Sequence, residues 1–523
     1  MTLELTKELI NINQVVGVDF SQTLVEGDII VPDVKPDIAR ILQVDGIAVI
    51  NDKEVQQDKV LVNGSVHFKI LYAPEGPDKS VKSINASSSF THQVDIKNAR
   101  PDMKAKIGSD IEHIEFNMLN SRKINVKAVV SIDCKVENLL SLDMITGIAG
   151  EGDVQVRKKN IKTYSIVAET NNPFIIREDL EIPAGKPSIK DLLKIDTKVT
   201  GKDVKVIDNK VVVKGELNVC TLYVAETDND SIQFMEHEIP FTEIFDVEEV
   251  REGMYCDLEV DIKDVYYDVK EDSDGDTRIL SLEATMDAYT RASQEVFLDV
   301  VVDSYSPEGN IKLEKKTFNI DEIIDDSRSQ TTIKQIIDLP SDVPEIAQIY
   351  NVITKPYVTE TIVENNRVIV EGVIDAYILY LADSEENPVY SYKQEIPFRH
   401  IIDAKDATPD MTCDVKADVT HCSYSMNTAS EVEVRCIVGV ESRLVKATPV
   451  ELITNAEFAP FSVDSIKSWP SITIYFVQKG DTLWDIAKQY YVTMDEITRV
   501  NEIKENDILP PGKQLIIPRR QRK

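Results

Sequence analysis

KVVVKGELNVCTLYVA, Lys210–Ala225, decides how the rest of the chain is read. Its β-branched and aromatic residues mark a strand, and Gly215 within it marks a bulge or a place where other backbone or side chains come close. The pattern occurs three times. KVLVNG ends at Gly64, KVVVKG at Gly215 and RVIVEG at Gly372, and seven residues after each glycine stand Leu71-Tyr72, Leu222-Tyr223 and Leu379-Tyr380. Twenty-six residues after it comes Phe90, Phe241 or Phe398, and thirty-nine after it Met103, Met254 or Met411. Upstream, Pro32, Pro183 and Pro340 lie thirty-two residues before the glycine, followed by Pro36, Pro187 and Pro344 and then Ile38, Ile189 and Ile346.

A spacing without insertions over so long a stretch is the signature of one domain type used three times, because cores hold their length and loops do not. The period is 151 residues and then 157. Apolar residues at strand spacing are ordinarily core. The repeated Gly, Tyr, Phe and Met are therefore read as packing positions rather than as three copies of a binding site. RVIVEGVIDAYILYLA repeats the strand of the opening stretch, and DVYYDVKEDSDGDTRILSLEA reads as two strands about an acidic turn at Asp274-Gly275. KQIIDLP, PSIKDLLKI and PEIAQIYNV suggest short helices beside the prolines. The prediction is a mainly β chain. Three tandem β-rich sandwich-like repeats with small helices span 1–153, 154–310 and 311–468, and a small α+β unit spans 472–523.

The chain has 523 residues, enough for about three to four domains with cores of their own. Its 91 acidic and 58 basic side chains give a net charge of −33, which opposes nonspecific nucleic-acid binding and offers no grip on an anionic membrane. No apolar run approaches the ~18 to 20 residues of a membrane span. The opening MTLELTKELININQ has no basic stretch followed by an apolar core, so a protein retained in the cytosol is expected. The basic end, Arg519, Arg520, Arg522 and Lys523, reads as solvated, with lipid or an acidic partner as the alternative. Six cysteines, Cys134, Cys220, Cys256, Cys413, Cys422 and Cys436, show no metal spacing and read as free thiols of a reducing compartment.

Nothing assembles into a catalytic site. The six histidines do not recur at matching repeat positions, and no metalloprotease, nucleophile-elbow or phosphate-loop motif occurs. Asp268, Asp272, Asp274 and Asp276 lack the glycine and glutamate positions of an EF-hand and read as a solvated turn. No enzyme, cofactor or metal is expected.

The C-terminal stretch reads as strand, helix, helix, strand. Thr482 with Asp485, and Thr493 with Glu496, are helix starts, Leu483, Ile486, Ala487 and Tyr490 share a helical face, and QLIIP closes the unit. Tyr475, Val477, Gly480 to Leu483, Ile486-Ala487, Asn501, Gly512, Leu515 and Ile517-Pro518 make this segment resemble a LysM module. In that family glycan is held by two loops, here Gly480 to Leu483 and Ile508 to Gly512. Another ligand is suggested by the strand SITIYFV, whose Ile472, Ile474 and Phe476 point away from the helices on a sheet with no second layer. Trp484 is expected to be at least half exposed and to complete an apolar patch. The competing reading docks that face onto the third repeat.

Repeats of this register ahead of a LysM module resemble the SipL-type spore-coat morphogenesis proteins of endospore formers, whose β-rich domain is called SPOCS. The resemblance implies a mother-cell cytosolic scaffold, recruited peripherally to the forespore surface, whose LysM engages the coat ATPase SpoIVA. The expected contact residues are Ile472, Ile474, Phe476, Lys479, Asp481, Thr482, Trp484, Ile508, Leu509 and Pro511. The alternative is a protein that binds the N-acetylglucosamine chains of cortex peptidoglycan.

Overall fold

A computed structural model describes the chain except for residues 1, 2, 77–79, 151, 152, 229, 383–388, 463–469, 471, 505, 506 and 519–523. The basic end therefore lies outside the described residues. Each repeat contributes six strands in two three-stranded antiparallel sheets. In the first repeat these are β1 (Leu3–Ile30), β2 (Ile38–Gln56), β3 (Lys59–Pro74), β4 (Lys82–Asp95), β5 (Lys104–Asn120) and β6 (Lys123–Gly150), ordered β1-β6-β5 and β2-β3-β4. The second repeat runs from β7 (Gln155–Glu181) through β8 (Ile189–Ile207), β9 (Lys210–Ala225), β10 (Ile232–Asp246) and β11 (Tyr255–Lys270) to β12 (Ile279–Tyr305). The third comprises β13 (Gly309–Asp338), β14 (Ile346–Glu364), β15 (Arg367–Ala382), β16 (Val389–Asp403), β17 (Thr412–Thr428) and β18 (Glu431–Pro460), in the same order of pairing. The two sheets of a repeat face each other across one apolar core, for example Val62, Phe68 and Ile70 against Ile124, Val126 and Val130.

The repeated residues are core and turn positions. Gly64, Gly215 and Gly372 pair directly with Phe90, Phe241 and Phe398 across the ladder. Each phenylalanine ring lies over its glycine, so that an added Cβ would meet ring carbons at 2.4, 2.6 and 2.5 Å. Tyr72, Tyr223 and Tyr380 are buried, and their hydroxyls donate to the carbonyls of Pro36, Pro187 and Pro344 at 3.0, 2.9 and 2.8 Å. A buried hydroxyl needs such a partner, and the second proline's carbonyl supplies it in all three copies.

None of the three stretches expected to form small helices does so. PSIKDLLKI enters β8, PEIAQIYNV enters β14, and KQIIDLP ends β13. The reason is local: register shifts fall between Ile189 and Asp191 and again between Leu192 and Lys194, with counterparts at Ile346/Gln348 and Ile349/Asn351. Two bulges three residues apart displace inward side chains from a two-residue to a roughly three-residue spacing, which imitates a helix.

The outer strands are much longer than a sandwich needs. β1 pairs with β6 from Leu3 to Ile30, and a bulge between Val15 and Gly17 divides the hairpin. The second and third repeats bulge at the equivalent places. Beyond the bulge each hairpin continues as a two-stranded ribbon, and the three ribbons pack together. Ile10, Ile12, Leu142 and Met144 meet Ile161, Leu298 and Val300 and also Ile320, Val450 and Leu452 in one buried cluster. A second shared cluster joins Leu71 and Val81, Leu193, Leu222 and Val224, and Tyr350, Leu379 and Val389. Polar contacts follow the same cyclic order: Lys198 of the second repeat pairs with Asp418 of the third at 2.8 Å, and Lys355 of the third with Asp110 of the first at 3.3 Å. The repeats are thus three sectors of one body about an approximate three-fold axis.

Candidate functional site

The C-terminal unit folds as β19 (Ile472–Phe476), α1 (Leu483–Gln489), α2 (Met494–Asn501) and β20 (Gln514–Pro518). Thr482 caps α1 by accepting from the Asp485 amide at 3.2 Å, and Thr493 with Glu496 forms a reciprocal capping box on α2. Asn501 does more than end its helix. Its amide donates to the Ile516 carbonyl and accepts from the Ile516 amide, both at 2.7 Å, fastening α2 to β20. Leu483, Ile486, Ala487, Val492, Ile497, Leu515 and Ile517 fill the interior, whereas Val500, three residues after Ile497 on α2, is exposed.

The ten expected contact residues divide into three sets. Ile472, Ile474 and Phe476 stand on the open face of the two-stranded sheet at 65%, 54% and 56% exposure, and Ile516, opposite Ile474 in the ladder, joins them at 40%. Sequence reasoning missed Ile516, although the alternation of QLIIP placed it on that face. Lys479, Thr482, Ile508 and Pro511 are exposed on the two loops. Asp481, by contrast, is spent within the module: its carboxylate accepts from the Tyr475 hydroxyl at 2.6 Å and the Gln478 amide at 2.8 Å. Those bonds hold the Asp481 carboxyl below the usual aspartate range. Leu509 packs against the module's interior.

Trp484 corrects the expectation that it is half exposed, since only 6% of it is accessible. Its indole Nε1 donates to Asp303 Oδ2 at 2.8 Å, and its ring meets Tyr305 edge-on at 4.9 Å between centroids. Lys488, one turn along α1, donates to Asp303 Oδ1 at 2.6 Å, and the Tyr305 hydroxyl donates to the Val492 carbonyl at 2.9 Å. The Arg157 guanidinium lies over the indole, 5.6 Å from its centroid. Burial pushes the Asp303 carboxyl up, but the bonds from Lys488 and Trp484 outweigh it and leave it below its ordinary value. The module is therefore seated through α1, and its seat is the end of β12 in the second repeat, with the apolar strand face left uncovered.

That seat exists once. The positions equivalent to Asp303 are Gly147 and Asn455, and those equivalent to Tyr305 are Ala149 and Glu457, as the paired registers show. Only the second repeat offers both a carboxylate for the indole and ammonium groups and a ring for Trp484 to pack on.

Three facing-sheet repeats locked about one axis, with a capped βααβ unit seated on the second of them, define a β scaffold that carries a small α+β module. The description "SipL, SPOCS domain" matches residues 37–119, 188–270 and 345–427, and the LysM domain matches 475–518. The chain is thus a SipL-like protein, with three SPOCS domains in tandem and a C-terminal LysM domain. Among curated proteins, 46 residues are 44% identical to the spore coat assembly protein ExsA of Bacillus cereus, covering 9% of this chain and 7% of that protein. Another 49% identity over 45 residues is to the cortical fragment-lytic enzyme of Bacillus subtilis (strain 168), covering 9% of this chain and 10% of that protein. The chain therefore spans a tenth or less of the length of these relatives. No solved structure matches.

Proposed function

We propose that this protein is a noncatalytic scaffold of spore coat assembly, working in the mother-cell cytoplasm at the forespore surface, and that its LysM domain captures the morphogenetic ATPase SpoIVA. The observation that carries the reading is the uncovered apolar face of Ile472, Ile474, Phe476 and Ile516 on a module whose other side is already seated on the second repeat. An apolar patch presented on a rigid mount and flanked by Lys479 and Pro511 suits a protein surface better than a solvated one. SPOCS-type repeats and a relative named for spore coat assembly support the cellular setting. Trp484 acts here through the mount and not through the partner.

The experiment is copurification of SpoIVA with the full-length chain. Phe476→Glu and Ile474→Glu are expected to lower recovery of the ATPase at least tenfold while leaving the unfolding transition of the repeats in place. Recovery equal to wild type in both would remove the apolar face from the interface. A second reading has an observation of its own, because Lys479, Thr482, Ile508 and Pro511 leave the two glycan-type loops open to solvent. On that reading the protein binds cortex peptidoglycan. Retention of the full chain on purified peptidoglycan, abolished by changes at Ile508 and Thr482 and indifferent to Phe476→Glu, is the outcome that would favour it.

A further inference from the structure

One cross-strand position is filled differently in the three repeats. Where the outer sheet pairs its edge strand with its central strand, Ile114 faces Ala128, Val265 faces Ala284, and Cys422 faces Cys436. The first two repeats fill the site with one larger and one small apolar side chain. The third has thiols at both positions, and their sulfurs lie 3.9 Å apart. All six cysteines are free.

Directly opposed residues of an antiparallel pair have Cα atoms ~4.5–5.5 Å apart. That range lies inside the ~4.4–6.8 Å spanned by disulfides. Bringing the two sulfurs into bonding contact therefore asks for side-chain rotation and no rearrangement of the ladder. Cys422 is half-buried on β17, the edge strand, and Cys436 is buried on β18 against the core of the repeat. The site lies at the junction with the second repeat: Lys198 donates to the Val419 carbonyl at 3.1 Å and pairs with Asp418 at 2.8 Å. The hydrogen bond with Cys436 and burial push the Cys422 thiol up, the same bond brings Cys436 down, and the Lys198 ammonium favours the thiolate at both, so Cys422 is the attacking thiol by its greater exposure and not by its acidity.

We propose that Cys422 and Cys436 form a dithiol–disulfide site, closed by a small-molecule disulfide such as oxidised glutathione. The Cys422 thiolate attacks one sulfur of the oxidant, whose S–S bond breaks and releases one thiolate. The Cys436 thiolate then attacks the Cys422 sulfur and displaces the second. Two electrons pass from the pair to the oxidant, and the two protons end on the released thiols. The product staples the edge strand β17 to β18 across fourteen residues of sequence and makes the third repeat the one whose outer hairpin can be covalently closed. This site is separate from the LysM mount and from the apolar strand face, so it stands or falls independently of the partner assignment.

The test uses the full-length protein, treated with oxidised glutathione, unfolded under acid quench, alkylated and mapped by mass spectrometry. Two of the six thiols are expected to become resistant to alkylation, recovered as one Cys422–Cys436 cross-link that dithiothreitol reverses. Cys436→Ala is expected to stop at a single glutathione adduct on Cys422. Cys422→Val with Cys436→Ala recreates the Val265 and Ala284 pair of the second repeat, so it should fold and keep all its remaining thiols alkylatable. Six alkylatable thiols in the treated wild type would overturn the proposal. So would a lasting glutathione adduct on wild-type Cys422 without a cross-link, or equal thiol loss in the double variant.

Discussion

At the scale of single residues, Asp303 is the anchor on which the C-terminal module depends. It is buried at 6% exposure, and its two oxygens take one bond each from Trp484 and Lys488. Asp303→Ala leaves a buried indole N–H without an acceptor and is expected to weaken the mount by about 1–3 kcal/mol. The chain has two tryptophans, so in a Trp469→Phe background the emission of Trp484 reports the mount directly. A red shift on Asp303→Ala, with the main unfolding transition retained, is the expected result; an unshifted spectrum would mean that Trp484 stays buried without its carboxylate. Acid should act in the same direction. The Asp303 carboxyl is depressed below its ordinary value of 3.8, so its contribution is complete at neutral pH and is lost as pH falls through about 4 and below. The exposure of Trp484 was not legible in the sequence for a physical reason. Its acceptor lies 181 residues away, at a position where the other repeats hold Gly147 and Asn455. No repeat pattern marks such a residue, and a module read by itself leaves the indole with nothing to lie against.

At the scale of elements, the repeated glycine and phenylalanine are one device. A strand glycine weakens the ladder unless something covers the bare backbone, and the ring directly opposite does so in all three repeats. Gly215→Ala forces a Cβ to within 2.6 Å of Phe241 Cζ and is expected to destabilise the second repeat by about 1–3 kcal/mol. In a double-mutant cycle Phe241→Leu should recover part of that loss, because the smaller side chain makes room where the ring did not. Strict additivity of the two changes in chemical unfolding would contradict the account. Here the sequence was informative: glycine and phenylalanine stand twenty-six residues apart in every copy, a spacing that only a fixed hairpin preserves. The same strands also show where reading failed. Ile189, Leu192, Leu193 and Ile195 carry a helical spacing, and periodicity alone cannot tell a helix from a strand bulged twice within six residues.

At the scale of the whole molecule, stability belongs to the three repeats together. Glu137 of the first repeat accepts from Arg291 of the second at 2.7 Å, with its side chain only 5% exposed. Burial alone would raise this carboxyl, yet the Arg291 guanidinium and Lys135 bring it down to about 2 from an ordinary 4.5. A depressed carboxyl stabilises above its unfolded value, so roughly 3 kcal/mol is present at neutral pH and disappears as pH falls from 4.5 toward 2. Glu137→Gln should flatten that part of the acid-unfolding profile, and an unchanged profile would place the acid sensitivity elsewhere. Apolar packing supports the same view. Ile10, Ile12, Leu142 and Met144 are buried against residues of the other two repeats, on a ribbon that extends past its own sandwich. Burying four such side chains is worth about 6–12 kcal/mol at ~1.5–3 kcal/mol each. That is comparable to the ~5–15 kcal/mol net stability of an ordinary domain. The first repeat expressed alone, residues 1–153, would therefore bare a contiguous apolar ribbon that no internal rearrangement covers. It is expected to self-associate in light scattering at micromolar concentration, whereas the full chain does not. Replacing Ile10, Ile12, Leu142 and Met144 by threonine in that fragment should suppress the association. The same four changes in the full chain should lower its unfolding midpoint sharply, because there the residues face other sectors and not solvent. A first repeat that ran alone as a stable monomer, with its ribbon unaltered, would show that the sectors fold without one another and that the shared cluster contributes little.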